Sequence, residues 1–278
     1  MSKIGVSNSS KDLCEAIAQD CFYKPQKYQL NVLSTDNPDE QAYARSIKNV
    51  ADKNNVKVTF SSVKDVHDVN AYISEALIAS NNGFPTKILL THDFNKPTLF
   101  NASNIDTSNV DADGFSIQNI GKVFEAKYCD DTISREWAPC TASAIFYLLY
   151  LNIATESTGL SGIKGKKFLI INRTNTIGLP LMKMLLLNDG VPTITHSKGA
   201  KLTKEYLGQF DMIITATGHK IIDNSNYDGD IPIIDAGVHF ENGKLCGDVD
   251  TESIDYISDY TSPRSIGKLT TYILLSKL

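Results

Sequence analysis

The stretch Lys167–Leu186, KFLIINRTNTIGLPLMKMLL, reads as an apolar strand running straight into a polar turn and then an amphipathic helix. In a dinucleotide-binding unit such a turn aims backbone N–H groups and the positive end of the helix at a phosphate. The fingerprint G-x-G-x-x-G is absent here. Only Gly178 remains, with Asn172 where the first glycine would stand, so the turn alone is equally a plain strand-to-helix connection. About 20 residues on, an NAD site places an acidic residue for the ribose 2′-hydroxyl. This chain has His196, Ser197 and Lys198 there, and Arg173 in the turn. An arginine and a serine in place of a carboxylate suit a 2′-phosphate, hence NADP rather than NAD.

Working outward, the second half continues with strands predicted at Pro192–His196, Met212–Thr215 and Ile231–Asp235, and the first helix spans Ile177–Asn188. Upstream, the β-rich runs Gln29–Ser34, Val56–Ser61 and Lys87–Thr91 alternate with helical patterns at Asp39–Lys53 and Val66–Ser80. Such alternation predicts α/β architecture with parallel sheets covered by helices. Residues 93–138 break the rhythm and read as a long, Asn- and Asp-rich connection of the kind that carries function. A helix opened by Thr141 runs to about Ala154, and the glycine-punctuated ESTGLSGIKGKK after it suggests a hinge. The tail Ser265–Leu278 reads as a last helix. Two domains are expected: 1–147, joined by 265–278, binding substrate, and 148–264, a Rossmann-like NAD(P)-binding domain.

The 278 residues are 42% hydrophobic and 21% charged, enough to bury a large core, which excludes a disordered or fibrous chain. A net charge of −5 lacks the basic surplus that neutralises phosphates, so a small-molecule partner is expected and no nucleic acid. Five cysteines without a C-x-x-C pair argue against a disulfide framework and a tetrahedral zinc site. His67, His92, His196, His219 and His239 show no metal-binding spacing, so no metal is expected. The start shows no secretory pattern, and the most apolar run, Ala142–Ala154, is short of the roughly 20 residues a bilayer core demands. Reducing cytosol is the expected compartment.

Five ordered segments resemble the methylenetetrahydrofolate dehydrogenase/cyclohydrolase family, the bifunctional FolD proteins. They are Asn37-Pro38 with Tyr43 in DNPDEQAYARSIK, Asp113–Gly121 (DGFSIQNIG), Pro139-Cys140-Thr141, NRTNTIGLP with HSK after it, and IIDAGVHFENGKLCGDVD. The resemblance spans nearly the whole chain and implies two α/β domains, folate on the first, NADP on the second, and a homodimer. By position, Asn172, Arg173 and Thr174 stand where the family has Gly-Arg-Ser, Ser197 matches its 2′-phosphate serine, and Val238 the residue beside the nicotinamide. Asp113 aligns with the carboxylate holding the pterin's amino edge, a role suited to an acceptor that takes two N–H donors. Tyr43 aligns with the tyrosine over the ligand's aromatic middle. Without the resemblance, Asp113 would read as a turn cap and Tyr43 as an ordinary helix-surface residue.

The chain departs from the family where water is added. The family's proton-handling lysine lies four residues after the tyrosine, one turn along the same helix face, and that place is Ile47. Lys48 is next door but about 100° around the helix, so it reaches the site only if the helix is distorted. Thr91 replaces the glutamine that supports the lysine, and Arg264 and Ser265 replace two adjacent glycines in a late loop that keeps Pro263, Gly267 and Thr270. The resemblance therefore implies NADP-dependent oxidation of 5,10-methylenetetrahydrofolate to the methenyl form, with a weak or absent cyclohydrolase. The alternatives are a non-catalytic homologue binding nucleotide or a folate-like ligand, and a dehydrogenase with a changed substrate.

Overall fold

The computed structural model describes residues 14–19, 26–91, 106–127, 136–153, 163–241, 244–257 and 260–278. Their contacts divide into two compact units: one built from Cys14–Glu125, 136–140 and Thr270–Leu278, the other from Thr141–Leu269.

The first unit holds a three-stranded parallel sheet in the order β2-β1-β3, with β1 at Gln29–Ser34, β2 at Val58–Ser62 and β3 at Thr86–Leu90. Two helices supply the crossovers, α1 at Pro38–Lys53 and α2 at Val66–Asn81. Helix α2 starts where it does because the Asp65 side chain accepts from the backbone N–H of His67 (2.8 Å) and Asp68 (3.1 Å), satisfying donors the helix leaves open. Val69, Ile73 and Ala76 then fall on one face and pack with Leu33, Ile88, Leu90 and Val110. Full burial of each large aliphatic side chain contributes about 1.5–3 kcal/mol.

Within the span expected to be one long connection lies a helix, α3, at Ile117–Glu125. Buried Ser116 caps it by accepting from the N–H of Asn119 (3.2 Å), and Asn119 and Val123 turn inward. Residues 92–105 and 128–135 of that span lie outside the described residues. Helix α4, Cys140–Ile153, follows.

The second unit contains a five-stranded parallel sheet in the order β10-β7-β6-β4-β5. Its strands are β4 (Lys167–Ile171), β5 (Val191–Thr195), β6 (Met212–Thr215), β7 (Ile233–Asp235) and β10 (Tyr260–Thr261), with helices α5 (Gly178–Leu186) and α6 (Lys204–Leu207) between them. β6 is buried at every position and β4 at all but its first, the continuous apolar reading that parallel strands covered on both faces produce. The chain goes from β4 to β5 on one side and then crosses to β6 on the other, so the topological switch point falls at the carboxyl end of β4. A two-stranded antiparallel hairpin, β8 (His239–Glu241) with β9 (Lys244–Cys246), was not anticipated from sequence. Helix α7, Pro263–Ser276, closes the chain. Among the described residues no helix is long and apolar enough to cross a membrane.

Candidate functional site

At the switch point the Asn172 side chain ties the turn together. Its Oδ1 accepts from the N–H and hydroxyl of Thr174 (both 2.8 Å) and the N–H of Gly178 (2.9 Å), while Nδ2 donates to the Ala216 carbonyl at 2.6 Å. The Ile177 N–H is taken by Thr174 Oγ1 (3.2 Å) and that of Leu179 by the Thr174 carbonyl (3.0 Å). Gly178 is required by this closeness: a Cβ there would lie 2.1 Å from the Asn172 carbonyl oxygen. The sequence suggested a turn aiming the first N–H groups of α5 outward at a phosphate, but those groups are bound inside the turn.

Two exposed side chains stand at the rim of the turn. Ile171 of β4 pairs with Thr195 of β5, so Arg173 and Ser197 each stand two residues beyond a paired position, on adjacent strand ends, and both are exposed. A guanidinium and a hydroxyl in that placement fit a phosphomonoester such as the NADP 2′-phosphate.

Beside the turn, two buried aspartates hold the loops after β6 and β7. Asp248 accepts from the N–H of Thr217 (2.6 Å), Gly218 (2.9 Å) and His219 (3.1 Å). Asp235 accepts from the N–H of Gly237 (3.0 Å), Asp248 (3.0 Å) and Val249 (3.1 Å), and from the hydroxyls of Tyr260 (3.0 Å) and Thr215 (3.2 Å). Burial raises the Asp235 pKa, opposed by the N–H groups of Asp248 and Val249. Gly237 threads past Asp248 so closely that a Cβ would lie 1.8 Å from its Oδ1. This knot presents Val238, half exposed, at the loop crest. Asp235 and Asp248 lie within the segment IIDAGVHFENGKLCGDVD, whose sequence alone assigns them no role. Their signal is an acidic residue closing an apolar strand, Asp235, and another directly after a glycine, Asp248, places where a buried carboxylate must be satisfied.

In the first unit the two aspartates of Asp111-Ala112-Asp113-Gly114 divide their work. Asp111, buried, caps the turn by accepting from the N–H of Gly114 (2.9 Å) and Ser116 (2.7 Å). Asp113 is therefore not the turn cap: it is only partly buried, and its Oδ1 lies 3.4 Å from the Cys140 N–H. Tyr43 lies close enough that the Asp113 charge acts on it. Burial first, then Asp113 and Cys140, push the phenol well above its ordinary range, so it stays protonated. The Cys140 thiol, pushed up to about 12 chiefly by burial, lies within hydrogen-bonding reach of Asp113 and Lys277, and the Lys277 ammonium donates to the Ala138 carbonyl at 3.0 Å.

Lys48 is not brought to this group. Helix α1 is regular at this point, and the Lys48 ammonium pairs with Asp52 (3.1 Å) on the exposed face. Ile47, on the face that Tyr43 shares, is fully buried. The Thr91 hydroxyl lies 3.1 Å from the Leu33 carbonyl and 3.4 Å from Glu40 Oε2, and Glu40 also accepts from the Thr35 N–H at 2.9 Å. Thr91 thus anchors the start of α1.

A family model described as tetrahydrofolate dehydrogenase/cyclohydrolase, NAD(P)-binding domain, matches residues 139–278. The bifunctional protein FolD of Clostridium botulinum (strain Kyoto / Type A2) is 30% identical over 249 residues, covering 87% of this chain and 82% of that protein. The chain belongs to the tetrahydrofolate dehydrogenase/cyclohydrolase family. Among solved structures, the bifunctional FolD enzyme of Campylobacter jejuni superposes with a TM-score of 0.76 at 24% identity, over 100% of this chain and 96% of that one. The Trypanosoma brucei FolD, solved with NADP and an inhibitor, gives 0.72 at 19% identity over 97% and 93%. These two likenesses establish a shared fold. The family's NAD(P)-binding domain contains Asn172, Arg173, Thr174, Ser197 and Val238, together with both aspartates of the knot.

Proposed function

We propose that this family member catalyses the NADP-dependent oxidation of 5,10-methylenetetrahydrofolate to 5,10-methenyltetrahydrofolate and carries out the following hydrolysis weakly or not at all. The carrying observation is on α1: Ile47 is buried, Lys48 is paired with Asp52 on the solvent face, and no lysine of that helix stands beside Tyr43. Bound NADP supplies the hydride acceptor. The protein's share is positioning, which survives the loss of an acid–base lysine. Asp113 accepts from the pterin's amino edge, and Tyr43 packs over the ligand's middle while keeping its proton. Arg173 and Ser197 hold the 2′-phosphate, Asn172 and Thr174 shape the turn, and Val238 borders the nicotinamide. In this reading the unit with Tyr43 and Asp113 is the folate domain and the unit with β4–β7 the cofactor domain. The family also implies a cytosolic homodimer.

Purified protein with methylenetetrahydrofolate and NADP is expected to produce reduced cofactor while methenyl product accumulates, both followed by ultraviolet absorbance. Ile47→Lys is expected to raise methenyl hydrolysis roughly tenfold, the scale of one positioned acid–base group working imperfectly. Cofactor binding by calorimetry with neither signal rising would sink the dehydrogenase reading in favour of a binding homologue.

The cofactor assignment has its own test. Arg173→Ala removes a charge-assisted contact of about 1.5–3 kcal/mol, so the KM for NADP is expected to rise tenfold or more while that for NAD hardly moves. Equal effects on both cofactors would show that Arg173 does not read the 2′-phosphate.

A further inference from the structure

The β8–β9 hairpin carries three unlike donors on one face. His239 pairs directly with Cys246 across the register, and Glu241 follows His239 by two residues, so its side chain returns to the same side. His239 Nε2 lies 3.5 Å from Glu241 Oε1, Cys246 Sγ lies 4.0 Å from Glu241 Oε2, and all three donor atoms are within 4.8 Å of one another. Donors bound tetrahedrally to one zinc ion at its usual bond lengths stand roughly 3.3–3.6 Å apart. Small side-chain rotations close the difference.

The surroundings favour an ion over a purely structural pairing. His239 Nδ1 is buried and has no hydrogen-bond partner among the described residues, so only the Nε2 edge of the ring has polar company, and that edge faces the cluster. Cys246 is a free, partly exposed thiol that a metal could reach. Glu241 offers both oxygens: Oε2 is held by the Lys220 ammonium at 3.0 Å, which leaves Oε1 on the His239 side for coordination. Lys220 also lies 3.9 Å from Asp250 Oδ1, a second carboxylate toward which it can withdraw.

We infer that His239, Glu241 and Cys246 form a binding site for one zinc-like divalent cation, with three protein ligands and a fourth position open to solvent. Imidazole, thiolate and carboxylate together select a borderline-soft ion over magnesium or calcium. The H-x-E-x4-C spacing escapes the usual sequence patterns because the ligands come together through strand register, not through a helix turn or a paired-cysteine knuckle.

The test uses the full chain, stripped with a chelator, held reduced and titrated with cobalt(II) as the spectroscopic probe. The expected result is a thiolate-to-cobalt charge-transfer band with the intense visible bands of tetrahedral cobalt, saturating at one cobalt per chain and abolished by zinc. Cys246→Ser should remove the charge-transfer band, and His239→Ala should weaken the visible bands and the affinity, each with unchanged far-ultraviolet circular dichroism. No charge-transfer band at excess cobalt, or one that persists in Cys246→Ser and so belongs to another cysteine, overturns the site. Should Cys246→Ser fold poorly, an undiminished spectrum in His239→Ala overturns it equally. None of these readouts depends on the proposed enzyme activity.

Discussion

Asp248→Ala is expected to lower stability by about 3 kcal/mol or more, because three backbone donors lose their shared acceptor and each such loss costs about 1–3 kcal/mol. The donors are the N–H groups of Thr217, Gly218 and His219, on a loop whose partial exposure lets water recover some of the loss. Urea unfolding would measure the drop, and NADP calorimetry is expected to show weakened binding, since the 217–219 loop that this carboxylate holds packs against the Val238 carbonyl. The packing adds a sharper test. Gly237→Ala places a Cβ 1.8 Å from Asp248 Oδ1, so alone it should be as damaging as the loss of the aspartate. In the double variant the clash is gone, and the combined cost should fall well short of the two single costs added. Strict additivity would mean that the two residues do not contend for one space.

The second large effect concerns Lys87, a buried cation on β3 whose ammonium sits 4.6 Å from the centroid of the Tyr28 ring. Burial first and the neighbouring Lys277 second bring its pKa down from 10.5 to about 8, against the pull of Asp111, Cys140 and Glu136. Below pH 8 both folded and unfolded chains carry the proton, and the cost of the buried charge is fully present. Between about 8 and 10.5 the unfolded chain holds the proton and the folded one does not, so stability rises with pH across that window, by up to about 3 kcal/mol. Cys140 works in the opposite sense: its thiol ionises near 9.0 when unfolded but only near 12 when folded, so its contribution declines above pH 9. Above pH 9 the two slopes oppose each other, so the rise is expected to level off near pH 9. Lys87→Met keeps the aliphatic body and deletes the charge. It should gain about 2 kcal/mol at pH 7 after the lost ring contact, worth about 1 kcal/mol, is subtracted. Urea midpoints at pH 7, 8 and 9 should then lose the rise that the parent chain shows between 8 and 9, and an unchanged slope would count against the assignment.

What could be read from the sequence, and what could not, follows from the range of the forces involved. The β4 run KFLII, the helix behind it and the alternation around them are local patterns, and the parallel sheets follow from them. Helix α3 was hidden because its cap, Ser116, sits in an Asn- and Asp-rich stretch whose polar side chains are satisfied by tertiary bonds, such as Asn119 Nδ2 to Asp111 at 3.1 Å. Tyr43, Asp113, Arg173 and Ser197 are candidates by their motif positions. The Asp235–Asp248 knot and the His239–Cys246 pairing were not, because each joins segments whose meeting is fixed only by register and loop path. For Lys48 the helix period alone gave the direction: one residue beyond Ile47, its side chain reaches the solvent face and Asp52.

Asn172 gives the β4–α5 turn a particular thermodynamic character. With one carboxamide bound to Thr174, Gly178 and Ala216, the loop is closed upon itself before any ligand arrives. A nucleotide meeting it has no chain to fold and no helix end to uncap, so little conformational entropy is surrendered on binding. The same closure withholds the helix's own N–H groups from the anion. In the proposed reading affinity rests on Arg173 and Ser197 at the rim, and it should be more sensitive to salt, and more readily retuned between cofactors, than in a loop that folds its backbone around the phosphate.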